Sequence, residues 1–110
     1  KTYNVLKKQI NNGLKNIKKF DNIIIAYEPI WSIGTGMVPK NFELSKNINN
    51  IKKILIKIKK SINIKVLYGG SVNPENIKKL AQIKELNGFL VGGSSLNAKK
   101  FIDIIKKSIN

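Results

Sequence analysis

The chain has 110 residues, among them 21 Lys, no Arg, six acidic residues, no His and no Cys, for a formal net charge of +15. With 42% hydrophobic and 25% charged residues the composition is that of a packing globular chain, not of a disordered basic tail or a low-complexity segment. Without Cys or His, disulfides, thiol nucleophiles, zinc sites and imidazole bases are excluded, so any chemistry must come from carboxylate, hydroxyl, amine or backbone.

Tyr3, Leu6, Ile10, Leu14 and Ile17 recur at spacings of three and four, which predicts an amphipathic helix. The period then changes. Ile23 to Tyr27 is a short apolar run, β-branched at its start, and reads as a strand covered on both faces that stops at Glu28-Pro29. After a loop containing Gly34, Gly36 and Pro39, the stripe Leu44, Ile48, Ile51, Leu55, Ile58 and Ile62 predicts a second helix. Ile64 to Tyr68 is the next strand, broken by Gly69-Gly70-Ser71; Asn73 is placed to cap a helix opening at Pro74, with Glu75 suited to its first turn. Gly88 to Val91 is a third strand, ended by Gly92-Gly93. Asn97 can cap a final helix with the stripe Phe101, Ile102, Ile105 and Ile109.

Helix and strand therefore alternate through the whole chain, the pattern of right-handed βαβ units and a parallel sheet, with no linker and no second domain. In such folds ligands bind at the C-terminal ends of the strands. The last two strands each deliver a Gly pair and a Ser (Ser71 and Ser94) into a loop before a helix. One Gly pair alone reads as a tight turn; two in consecutive units point to a shared anion site built from backbone N–H groups. Glu28, at a strand end with an apolar run behind it, is a carboxylate that desolvation could tune as a base. Position alone also fits a rim salt bridge or a helix cap.

The Lys surplus invites a nucleic-acid or anionic-membrane reading. Against it, the Lys residues are scattered, none is joined by Arg, and aromatics seldom sit beside them. Lys, Asn and Ile together supply about half the chain, a compositional bias, and a solvated basic surface is the expected result. No nucleic-acid or membrane partner is expected. No apolar run approaches the roughly 20 residues of a membrane span, and Lys1 opens the chain without an initiator Met or a signal-peptide core. A cytoplasmic chain, and a fragment, is the expectation.

Three segments go further. Ala26-Tyr27-Glu28-Pro29-Ile30-Trp31-Ser32-Ile33-Gly34-Thr35-Gly36 closely resembles the catalytic strand and mobile lid of the triosephosphate isomerase family. Tyr68-Gly69-Gly70-Ser71-Val72-Asn73-Pro74-Glu75-Asn76 and Gly88-Phe89-Leu90-Val91-Gly92-Gly93-Ser94-Ser95-Leu96 resemble that family's next two strand-loop signatures, in the same order. The resemblance covers nearly all 110 residues.

It implies that residues 1–110 are the C-terminal part of a single eight-stranded (β/α) TIM barrel, a fold of about 250 residues, carrying strands six to eight. It implies a glycolytic and gluconeogenic isomerase that interconverts dihydroxyacetone phosphate and D-glyceraldehyde 3-phosphate through an enediolate, with Glu28 as the base. By the same likeness Gly34, Ser71, Gly92 and Gly93 bind the substrate phosphate, Pro29 to Val38 form the lid with hinges at Pro29-Ile30-Trp31 and Met37-Val38-Pro39, and Tyr68 with Ser71 latches it. Without the family, Tyr68 reads as a core aromatic. No cofactor and no metal are implied, and the full-length family enzyme is expected to be a homodimer.

Departures accompany the likeness. The family's Asn and Lys near its first strand and its electrophilic His after the fourth are not in this chain. Met37 stands where the second hinge usually has Lys, and Lys52 and Asn87 stand where the family often pairs Arg with Asp, so that ion pair is expected to be lost. Taken alone, three strands with open edges and an uncovered inner face are expected to form at best a dynamic, aggregation-prone and inactive partial fold. Two other classes stay open on the residues: another phosphate-binding sugar-phosphate barrel, which would lack the Tyr-Glu-Pro-Ile-Trp lid, and a basic nucleic-acid module resting on charge alone.

Overall fold

A computed structural model describes residues 2–17, 23–29, 40–59 and 64–109. In chain order these form α1 (Thr2–Gly13), β1 (Ile24–Tyr27), α2 (Asn41–Lys59), β2 (Lys65–Tyr68), α3 (Ile77–Leu80), β3 (Gly88–Phe89), a 3-10 turn (Gly93–Leu96) and α4 (Ala98–Ile109). The alternation read from the periodicity is thus the alternation observed. The three strands make one parallel sheet in the order β1-β2-β3, with Tyr27 opposite Tyr68 and Tyr68 opposite Phe89. All three strand ends therefore fall at one edge of the sheet.

The core lies between the sheet and the helices. Leu44, Ile48, Ile51, Ile54 and Leu55 of α2 are fully buried against Val66 and Tyr68 of the central strand, with Leu6 and Ile10 of α1 and Ile77 and Leu80 of α3 in the same cluster. The 3.6-residue period puts the α2 side chains on one face, and the strand alternation puts Val66 and Tyr68 on the facing side. Ile58, read as part of the stripe, is exposed instead, and Ile62 lies outside the described residues.

Four expectations need correction. The first strand is covered on one face only: Ile25 and Tyr27 pack on the core, whereas Ile24 is 59% exposed and Ala26 is exposed, because no described element lies over the opposite face. The third strand is two residues long; its ladder is bracketed by Asn87 N–H to Val66 O and Leu90 N–H to Tyr68 O, both at 2.9 Å. The third helix begins at Ile77, not Pro74, after a turn over 74–76. Asn73 still caps that turn, its Oδ1 accepting from the N–H groups of Glu75 (3.0 Å) and Asn76 (2.9 Å). Finally, only Ile104 of α4 is buried; Phe101, Ile102, Ile105 and Ile109 stay exposed, and the main contacts of α4 among the described elements are with α3 and the 3-10 turn. Asn97 does cap α4, accepting from the Lys100 N–H at 3.0 Å.

Lys52 and Asn87 each serve the backbone instead of one another. Lys52 Nζ donates to the Glu85 carbonyl, and Asn87 Oδ1 accepts the Val66 N–H at 2.9 Å. The single ion pair among the described residues is Lys107 with Asp103, one turn apart on α4, which at a solvent-exposed site contributes little.

Candidate active site at the C-terminal sheet edge

Glu28 is the first residue after β1, between half-buried Tyr27 and buried Pro29. Tyr27 points to the helix layer, so alternation along the strand sends Glu28 to the open inner face, where it is exposed. Residues 30–39, which follow Pro29, lie outside the described residues. The neighbour of Glu28 across the ladder is Gly69, the first residue after β2, whose N–H donates to the Tyr27 carbonyl at 2.9 Å. The two are in tight contact. A Cβ at Gly69 would lie 2.7 Å from Glu28 Cγ and 2.9 Å from its Oε1, so Glu28 occupies the space that any other residue at 69 would fill. On the free-edge side of β1, Glu28 also borders a cavity of about 370 Å³ shared with Gln9 and Gly13 of α1.

The loop after β2 is built by two asparagines. Asn73 N–H donates to Asn76 Oδ1 at 2.9 Å, and Asn76 Nδ2 donates to the Ser71 carbonyl at 2.9 Å. These reciprocal side-chain bonds give a short loop fixed backbone geometry without a long helix. Ser71 is thereby held in the loop that follows β2, the strand paired with β1. Tyr68 is fully buried, the core position that residue patterning alone assigns.

Gly92 and Gly93 follow β3 at the same edge. Both are exposed, and a Cβ on either would meet nothing within 4 Å. Ser95 fixes the turn, its N–H and hydroxyl donating to the Gly92 carbonyl at 2.9 and 2.6 Å. A side chain at 69 would thus displace Glu28, whereas 92 and 93 are bare, a stretch of backbone open to close approach from solvent. Gly34 and lid residues 30–38, with the second hinge to Pro39, lie outside the described residues. No group of acidic residues able to hold a metal ion occurs among the described residues.

A family model for triosephosphate isomerase matches residues 1–108. The chain belongs to the triosephosphate isomerase family. Among curated triosephosphate isomerases, that of Mycoplasma mobile is 49% identical over 109 residues, covering 96% of this chain and 42% of the relative. That of Geotalea uraniireducens is 42% identical, covering 97% and 45%, and that of Thermodesulfovibrio yellowstonii is 44% identical, covering 96% and 44%. The chain spans less than half the length of these triosephosphate isomerases. Its fold is accordingly a part of the TIM barrel, α/β with parallel strands and intervening helices.

One contact escapes the sequence reading. Asn47 Nδ2 donates to the Tyr27 hydroxyl at 3.1 Å. The signal available in the sequence was a polar residue set among Leu44, Ile48 and Ile51, on the face that those residues give to the core.

Proposed function

We propose that these residues form the C-terminal part, a single portion of one barrel domain, of a triose-phosphate isomerase that interconverts dihydroxyacetone phosphate and D-glyceraldehyde 3-phosphate. One observation carries the reading: Glu28 seated against Gly69 at the edge where the Ser71 loop and the Gly92-Gly93 loop also emerge. A base for a carbon-bound proton must stand within hydrogen-bond reach of that proton, and a phosphate needs N–H donors a few ångströms away. Two strand spacings, about 10 Å, separate the end of β1 from the end of β3, a span that a three-carbon phosphate laid across the strand ends can bridge.

In this reading Ser71, Gly92 and Gly93, with Gly34 of the lid, donate hydrogen bonds to the phosphate. They fix the triose so that Glu28 faces its reacting carbons, converting a bimolecular encounter into a positioned one. Glu28 takes the proton from the carbon beside the carbonyl, giving an enediolate, and returns it to the neighbouring carbon. Lid closure excludes water and keeps the enediolate from losing phosphate. The electrophile that polarises the carbonyl comes from outside this stretch, which holds no His. The chemistry calls for no cofactor. The same reading makes the assembled enzyme a homodimer in the cytoplasm; among the described residues no helix is long and apolar enough to cross a membrane.

The test is a coupled isomerase assay on the full-length product of the gene and on its Glu28→Gln variant. Isomerisation in the parent, falling at least about a thousandfold in the variant, supports the reading, since the base contributes by proton transfer. A parent without activity, or a variant that keeps it, refutes it.

A further inference from the structure

Tyr27, the residue before Glu28, is held from two directions. Its carbonyl accepts the Gly69 N–H at 2.9 Å, and its hydroxyl accepts Asn47 Nδ2 at 3.1 Å. The first bond ties the backbone to the central strand; the second ties the ring to α2. Consecutive side chains in extended chain leave on opposite faces. Whatever fixes the Tyr27 ring on the helix side therefore fixes the direction in which Glu28 departs on the other.

The platform supplying the second bond is rigid. Asn47 stands three residues after Leu44 and four before Ile51, all on one face of α2, with both neighbours in the core. An amide on that face costs packing unless its polar atoms are used, and the Tyr27 hydroxyl is the use made of it. The rest of α2 is pinned to α3 and to the turn after it: Asn41 Nδ2 donates to Lys79 O at 2.8 Å, Ser45 Oγ to Glu85 Oε1 at 2.6 Å, and Lys52 to Glu85 O. One helix thus links the end of β1 to the chain that leads into β3 and its Gly92-Gly93 loop.

We propose that Asn47 is a positioning residue for Glu28, acting through the Tyr27 hydroxyl. The proposal rests on the reading of Glu28 as the base. It assigns to α2 a task besides covering the sheet: holding the carboxylate at a set distance from the reacting carbons, where a displacement well under 1 Å changes the rate.

The experiment uses the full-length gene product and four variants: Asn47→Leu, which keeps the shape and removes the donor; Tyr27→Phe, which keeps the ring and removes the acceptor; the two combined; and Ile48→Val, which loosens the same helix without touching the bond. Expected are a fall in kcat of about tenfold for Asn47→Leu and for Tyr27→Phe, a KM within twofold of the parent, unchanged inhibition by inorganic phosphate, and no further loss in the double variant. Ile48→Val should lower Tm and leave kcat alone. The proposal is overturned if both single variants keep kcat within twofold, if their losses multiply in the double variant, or if Ile48→Val loses as much kcat as they do. Glu28→Gln separates the two levels: an inactive Glu28→Gln beside an unimpaired Tyr27→Phe removes only the role of Asn47, whereas an active Glu28→Gln removes the base and with it this proposal.

Discussion

Replacing Gly69 by Ala puts a methyl group where the Glu28 side chain now lies. Non-bonded carbons keep about 3.5–4.0 Å apart, and the new Cβ would lie 2.7 Å from Glu28 Cγ, so the two must separate by about 1 Å. Gly69 is not free to retreat: its N–H is bonded to Tyr27 O, and it follows a strand whose Tyr68 is fully buried. Glu28, exposed on the open face, is the group that gives way. Its φ lying outside the left-handed region, residue 69 accepts Ala without backbone strain, and the loss of unfolded-state freedom contributes about 0.4–1 kcal/mol of stability, which offsets part of the crowding. The substitution should therefore be cheap for the fold and costly for the chemistry. A base misplaced by about 1 Å costs on the order of a hundredfold in rate, or about 2.7 kcal/mol in the barrier. Steady-state assays of the full-length gene product should show kcat reduced by about that factor, KM changed little, and Tm within a few degrees of the parent. A kcat within threefold of the parent, at unchanged Tm, would refute the steric argument.

Gly92→Ala tests the other loop: because nothing lies within 4 Å of the added Cβ, Tm should hold, while KM and the inhibition constant of inorganic phosphate rise several-fold as the methyl group meets the phosphate; unchanged phosphate affinity would remove Gly92 from the site. Alkaline pH tests the anchor at Tyr27, whose phenol is pushed above 10.0 by burial, against the lowering effect of the Asn47 hydrogen bond. Above pH 10 the unfolded chain has released a proton that the folded chain keeps, so the contribution of Tyr27 is complete below pH 10 and is lost as pH rises toward the folded value. Melting curves from pH 9 to 11 should fall less steeply for Tyr27→Phe than for the parent; parallel curves would contradict this.

Local pattern carried most of this protein. Most of the helix stripes of α1 and α2, the strands Ile24–Tyr27 and Lys65–Tyr68, and the capping by Asn73 and Asn97 follow from spacing and side-chain type, properties a residue has with its near neighbours. The likeness around Glu28 and the Gly-Ser loops was visible for the same reason, since a motif is a local string, and the family match spans residues 1–108. What depended on partners distant in sequence was not legible. The exposure of Ile24 and of the Phe101-Ile105 face depends on which elements lie against them, and the periodicity of a helix or strand is the same whether or not its apolar side is covered. The seating of Glu28 on Gly69 joins residues 41 positions apart through the register of β1 with β2, and the bond from Asn47 to Tyr27 joins two elements through their packing. Spacing and side-chain type were enough to place the helices, the strands and the loops between them. Which glycine crowds the Glu28 side chain and which amide reaches the Tyr27 hydroxyl followed from packing, because those are distances across a sheet and between layers, set when side chains compete for the same space.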